Sequence, residues 1–143
     1  MAAALVISLG SEPQDVFNVL HNLITVRGRM ELAASRANGA SVFVDYAHTP
    51  DAIETAIKSL RPHFFGRIIA VIGAGGDRDQ SKRPLMGLAA SQNADVVIVT
   101  DDNPRSEDPA KIRQMIIKDL SRDAIHEYGD RAEAILRLSL IHI

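Results

Sequence analysis

The chain has no cysteine in its 143 residues, which excludes disulfide staples, thiolate metal ligands and a cysteine nucleophile, and fits a reducing compartment. It has no excess of one charge either. Its 16 basic and 18 acidic residues leave a formal net charge of -2, too weak a field to gather a nucleic acid or an anionic membrane. Long apolar runs are also missing: the stretch at 2–9 lacks a basic leader and is far shorter than a membrane span, so a cytoplasmic protein is expected. Neither a Walker A sequence nor a full G-x-G-x-x-G occurs, and His21, His63, His126 and His142 have no spacing that suggests zinc. What is present suffices for one ordinary core, since 46% of the residues are hydrophobic and the length is that of a single domain.

Apolar strands alternate with amphipathic helices. Val42-Phe43-Val44, Ile68-Ile69-Ala70-Val71-Ile72 and Val96-Val97-Ile98-Val99 are uninterrupted runs, as expected for strands of a parallel sheet covered on both faces. Ile53, Ala56, Ile57 and Leu60 make a helical stripe, as do Leu85, Leu88 and Ala89, and then Ile112, Met115, Ile116 and Leu120. Thr49 before Pro50, Ser81 before Pro84, and Asp108 before Pro109 predict helix starts, each a capping side chain ahead of a proline tolerated in the first turn. Residues 124–128 predict a short strand, and Asp130 with Glu133 caps a helix running to about Arg137. Ser11 and Gln14 predict a capping box for a short helix through Leu23, and residues 25–29 a polar connection. Beyond Leu138 the pattern fits neither helix nor strand, and the expectation is a truncated chain with a non-native tail at 138–143.

In a parallel sheet all strand carboxyl ends share one rim, where open α/β folds bind ligands. Three loops meet there in the expected fold. In residues 45–51, His48 is a capping or a catalytic histidine. In residues 73–79, Gly75-Gly76 serves either a tight turn or, at positive φ, an anion held by backbone N–H groups, with Arg78, Lys82 and Arg83 nearby. The third loop, Asp101-Asp102-Asn103-Pro104-Arg105, is either a turn chosen for its geometry or a zwitterion site. In the second case Arg105 offers a planar fork to a carboxylate, and Asp102 and Asn103 offer acceptors to an ammonium, held in relation by Pro104.

Six segments, in order and spacing, resemble the C-terminal domain of the Mur ligases of bacterial peptidoglycan synthesis, in the branch that adds meso-diaminopimelate. They are Gly28-Arg29-Met30-Glu31, Asp45-Tyr46-Ala47-His48-Thr49-Pro50-Asp51, Gly75-Gly76-Asp77-Arg78-Asp79, Lys82-Arg83-Pro84-Leu85-Met86-Gly87, Asp102-Asn103-Pro104-Arg105 and Gly129-Asp130-Arg131-Ala132-Glu133-Ala134. The resemblance implies a Rossmann-like, three-layer α/β domain with a mostly parallel sheet. Its implied extent is 28–137, with 1–27 as the end of a central ATPase domain and its linker.

The implied activity belongs to a three-domain amide ligase that uses ATP and Mg2+, mainly bound by the central domain, to join meso-diaminopimelate to UDP-N-acetylmuramoyl-L-alanyl-D-glutamate. On this resemblance Arg78, Asp102, Asn103, Pro104 and Arg105 look like the diaminopimelate site. Arg29, Tyr46, His48 and Asp51 resemble residues that face ATP, with Gly28 near the hinge. No catalytic residue and no metal ligand is expected within the chain, and the fragment alone is expected to be inactive. The family's Gly-Lys-Gly-His-Glu motif, which completes the amino-acid pocket, is not in the sequence. The other readings are a stand-alone amino-acid or nucleotide binding module and a purely structural α/β subunit; saturable binding of an amino acid counts against the latter.

Overall fold

A computed structural model describes residues 2–24, 26–121 and 124–140. The chain forms two compact units, residues 1–46 and 47–143. In the first, helices α1 (Ala2–Ser8) and α2 (Pro13–Asn18) precede a 3-10 turn, Leu20–Asn22, and an antiparallel hairpin of β1 (Glu31–Ser35) and β2 (Ser41–Val44). The capping box at Ser11 does not form. Glu12 holds the cap position with no side-chain bond, Pro13 fixes the first turn one residue later than the box requires, and α2 ends at Asn18. The run Val42-Phe43-Val44 is a strand, but not one of the parallel sheet. It pairs with β1 and is only partly buried, and a short apolar run does not reveal the direction of its partner.

The second unit carries the α/β fold expected from the sequence. Strands β3 (Ile69–Ile72), β4 (Val96–Thr100) and β5 (Ile125–Tyr128) form a parallel sheet in the order β3-β4-β5. All five residues of β4 are buried, and because successive side chains leave opposite faces, the central strand is covered on both. Helix α3 (Pro50–Leu60) precedes β3, α4 (Lys82–Asn93) and α5 (Pro109–Ile117) are the crossovers between successive strands, and α6 (Arg131–Leu140) follows β5. Ile53 and Ile57 of α3, Met86 and Ala90 of α4, and Ile112 and Ile116 of α5 join Ile72, Val97 and Val99 in one core.

Three caps form as expected. Thr49 Oγ1 accepts from the Ala52 N–H at 3.3 Å, Asp108 Oδ1 from Ala110 at 2.9 Å, and Asp130 Oδ1 from Glu133 at 2.7 Å. Ser81 occupies its cap position without capping, because its backbone is already helical and its hydroxyl donates to Asp79 Oδ1 at 2.6 Å. The expected stripe on α4 is displaced in part: Leu85 and Leu88 are exposed, whereas Ala89 is buried as expected, with Arg83, Met86, Gly87 and Ala90. Gly87 is what lets α4 approach α5 closely, since a Cβ there would lie 2.1 Å from the Ile116 carbonyl oxygen. Helix α6 runs three residues beyond Arg137, to Leu140; the remainder of the expected irregular tail, 141–143, lies outside the described residues.

Candidate functional site

The carboxyl ends of β3, β4 and β5 open into loops 73–81, 101–108 and 129–130. The first two are stitched together by their backbones. The Gly76 N–H donates to the Asn103 carbonyl at 2.9 Å, and a Cβ on Gly76 would sit 1.8 Å from the Pro104 carbonyl oxygen. Gly76 is therefore needed for close approach, whereas a Cβ on Gly75 would meet only the tip of the Arg105 side chain within 3 Å. Neither Gly75 nor Gly76 adopts positive φ, and the Gly76 N–H is not available to an anion. Positive φ falls instead on Asp77 at 52° and Arg105 at 49°, one in each loop. Aspartate tolerates this region through local hydrogen bonding, whereas arginine has no such aid, so its loop must be held by its neighbours.

Those neighbours form a dense polar network. Asp77 accepts from the Ser106 hydroxyl at 2.6 Å and from the Ser106 N–H at 3.3 Å. Arg83, expected as a cation available to an anion, is instead 1% exposed and engages Glu107 through both Nη atoms at 2.7 and 2.8 Å, with the Gly75 carbonyl at 3.3 Å. Glu107 also accepts from the Asp77 N–H at 2.6 Å and Gln80 Nε2 at 3.2 Å. The Arg83 guanidinium, then the Asp77 N–H, hold the Glu107 carboxyl down at about 2, and the pairing raises Arg83 in return. Lys82, the other expected cation, is exposed and 3.9 Å from Asp79.

On this base sit the residues singled out in the sequence. Arg105 is exposed, and its Nη1 donates to the Gly76 carbonyl at 2.7 Å and, at 3.5 Å, to that of Asn103; among the described residues its Nε and Nη2 have no partner. Asp102 Oδ1 accepts from the Asn103 N–H at 2.8 Å and lies 4.0 Å from Arg131 Nη1, while Asn103 Oδ1 accepts from the Arg105 N–H at 3.3 Å. One oxygen of Asp102 and the only side-chain oxygen of Asn103 thus shape the loop, so Asp102 Oδ2 remains as an acceptor while Asn103 presents Nδ2, a donor, rather than the acceptor expected for an ammonium. Arg78 is exposed, and among the described residues its side chain donates only to the Asp77 carbonyl, at 3.5 Å. Pro104 is half-buried, its carbonyl taking the Glu107 N–H at 2.9 Å.

Behind the loop, Arg113 pairs with Asp101 and, at 2.7 Å, with Glu127, and Arg131 Nη1 reaches the Asp101 carbonyl at 3.3 Å. A shallow depression there is lined by Ala74, Asp101, Asp102, Pro104, Pro109, Ile112 and Arg113. Sequence reasoning missed Glu107, Ser106, Arg113 and Arg131, whose partners lie 12 to 30 positions away in the chain and leave no local signal.

The four residues resembling an ATP-facing set divide between the units. In the first, the Arg29 guanidinium stacks over the Tyr46 ring at 4.6 Å, and a turn with Gly28 at φ 69° is held by the Gly28 N–H on Glu31 at 2.7 Å and the Met30 N–H on Asp45 at 2.8 Å. In the second, exposed His48 and Asp51 flank the Thr49 cap of α3, with Asp51 in its first turn.

Comparison with known proteins gives the family. Residues 28–142 match the family model "Mur ligase, glutamate ligase domain". The chain is 48% identical over 135 residues to UDP-N-acetylmuramoyl-L-alanyl-D-glutamate--2,6-diaminopimelate ligase of Caulobacter vibrioides and 50% identical to that of Bradyrhizobium diazoefficiens, covering 94% of this chain in each case. It spans only 27% of the length of either relative. A solved structure of a ligase of the same name superposes with a TM-score of 0.73 at 38% identity, over 96% of this chain and 28% of that one. With the parallel sheet, the two stitched loops and a match across most of its length, the chain belongs to the Mur ligase family, as its C-terminal, glutamate ligase domain.

Proposed function

We propose that this chain is the amino-acid-binding part of a cytoplasmic, ATP-dependent ligase that joins meso-diaminopimelate to UDP-N-acetylmuramoyl-L-alanyl-D-glutamate in peptidoglycan biosynthesis. The observation that carries the reading is the setting of Arg105. One nitrogen of its guanidinium is pinned to the Gly76 carbonyl, and two remain to take a carboxylate in a bidentate fork. Asp102, through Oδ2, receives the ammonium beside that carboxylate, Asn103 lends its amide, and Arg78 adds a second positive group at the same rim. Pro104 keeps the loop extended between them. Lysine has no distal carboxylate, so it would leave the fork of Arg105 unmatched, and the site favours diaminopimelate.

Residues 1–27 are read as the end of the preceding ATPase domain and its linker. That segment leaves Leu5, Leu9, Phe17, Leu23 and Ile24 exposed, an apolar surface suited to burial against further protein. Arg29 stacked on Tyr46 offers a flat cationic face suited to a nucleotide base, and His48 and Asp51 are assigned to the nucleotide side of their own unit. The phosphates and Mg2+ do not fit this chain. The Gly76 N–H is already bonded, and the described residues contain no group of three acidic or histidine side chains able to hold a metal ion. The chain alone is therefore expected to form no amide product. No helix among the described residues is long and apolar enough to cross a membrane.

The test is calorimetric titration of the chain with meso-diaminopimelate, with L-lysine as control, after circular dichroism has shown it folded. Selective binding, even millimolar, supports the assignment of the 102–105 loop. Equal binding of the two ligands, or none by a folded chain, removes it.

A further inference from the structure

We propose that the ion pair between buried Arg83 and partly exposed Glu107 is a positioning element that fixes where Arg105 presents its guanidinium. The inference rests on the reading of loop 102–105 as the amino-acid site. Four donors from loop 73–81 and α4 converge on one carboxylate of the neighbouring loop: the two Arg83 nitrogens, the Asp77 N–H and Gln80 Nε2 all end on Glu107. Glu107 stands two residues after Arg105, and Arg83 also holds the carbonyl of Gly75, next to the Gly76 carbonyl on which Arg105 rests. A single rigid path thus runs from the buried face of α4, through both loops, to the guanidinium of Arg105. Arg105 has φ 49°, a backbone state that persists only where the surroundings impose it.

Stability alone is a poor explanation for the pair. A buried ion pair is commonly matched or exceeded by apolar side chains of similar volume. Arg83 is also imperfectly satisfied, since its Nε is buried with no hydrogen-bond partner among the described residues. What apolar side chains could not replace is direction: the fork joins the two loops in one register, and that register sets where the Gly76 carbonyl meets the Arg105 guanidinium.

Two variants of the full chain test this, Glu107→Gln and the double variant Arg83→Met with Glu107→Gln. The double variant leaves no unpaired buried charge. The readout that needs no ligand is amide hydrogen exchange at Gly76, whose N–H bridges the loops, measured against the amides of β4 as an internal reference. The expected result is exchange at Gly76 faster by roughly tenfold or more with β4 unchanged, together with a roughly tenfold loss of affinity for meso-diaminopimelate and none for L-lysine. Unchanged exchange at Gly76 with the parent's preference between the two ligands overturns the proposal. So does failure of both variants to fold, which would make the pair purely structural. If the parent chain itself binds no meso-diaminopimelate, the amino-acid reading falls, and exchange at Gly76 still decides whether the pair positions the loop.

Discussion

At the scale of single residues, the rim is governed by where an atom is missing. Gly76 lies against the backbone of Pro104 so closely that a methyl group would stand 1.8 Å from its oxygen, and backbone yields less readily than a side-chain tip. Gly76→Ala is therefore expected to cost about 1–3 kcal/mol by forcing the loops apart, read as a lower urea midpoint with an unchanged slope. An unaltered midpoint would show that the loops are not in contact in solution. Sequence alone pointed to this glycine pair but left a tight turn and an anion cradle at positive φ as its two reasons, because a turn and a close approach leave the same letters in the chain. Arg105 is the converse case, legible as a carboxylate fork beside two acceptors but not as a residue at φ 49°. Arg105→Ala in a complete ligase should weaken meso-diaminopimelate binding by about 1.5–3 kcal/mol, one charge-assisted hydrogen-bonding group, while leaving lysine use low. A Michaelis constant for meso-diaminopimelate equal to the parent's would remove the assignment.

At the scale of elements, three of the five expected start signals, at Thr49, Asp108 and Asp130, formed, while those at Ser11 and Ser81 did not. Thr49, Asp108 and Asp130 cap where the letters placed them, because an N-cap is a contact within three residues. Thr49→Ala should cost about 1 kcal/mol of stability, visible as a lower thermal midpoint. The face of α4 was misread because leucines at 85 and 88 outweigh an arginine in any hydrophobicity count, yet Arg83 is the buried residue, its charge met by a glutamate from another loop. The direction of β2 was misread because its partner, Glu-Leu-Ala-Ala-Ser, is poor in β-branched residues and announces no strand. Gly87 shows propensity and packing in opposition. Alanine is better in a helix by about 1 kcal/mol, but a Cβ there would meet the Ile116 carbonyl oxygen at 2.1 Å, so Gly87→Ala should destabilise on balance. A rise in the urea midpoint would show that the two helices can part without loss.

At the scale of the whole molecule, the βα alternation was legible because a parallel sheet needs long apolar strands and crossover helices, both written locally. The division into units at 46 and 47 was not, since it depends on which elements share a core. The same long-range contacts set how stability responds to acid. Asp95, held by the Ile68 N–H at 2.7 Å and by Arg61 at 2.9 Å, and Glu107, held by Arg83 and the Asp77 N–H, titrate below ordinary carboxylates, as does exposed Asp79 beside Ser81. A group whose folded pKa is depressed contributes stability that is complete above its unfolded value and is lost as pH falls through the folded one. For Glu107 that window runs from the ordinary 4.5 down to about 2. The urea midpoint should therefore be level above about pH 5 and fall steadily below it. Glu107→Gln should start lower at neutral pH, decline less steeply, and meet the parent curve near the acid end, where the parent carboxyl too is protonated. Arg83 stays charged throughout, so the difference between the curves reports the ion pair. Curves that remain parallel from neutral to acid pH would mean that Glu107 does not hold Arg83 in solution, and the link between α4 and the Arg105 loop would have to run through Asp77 and Ser106 instead.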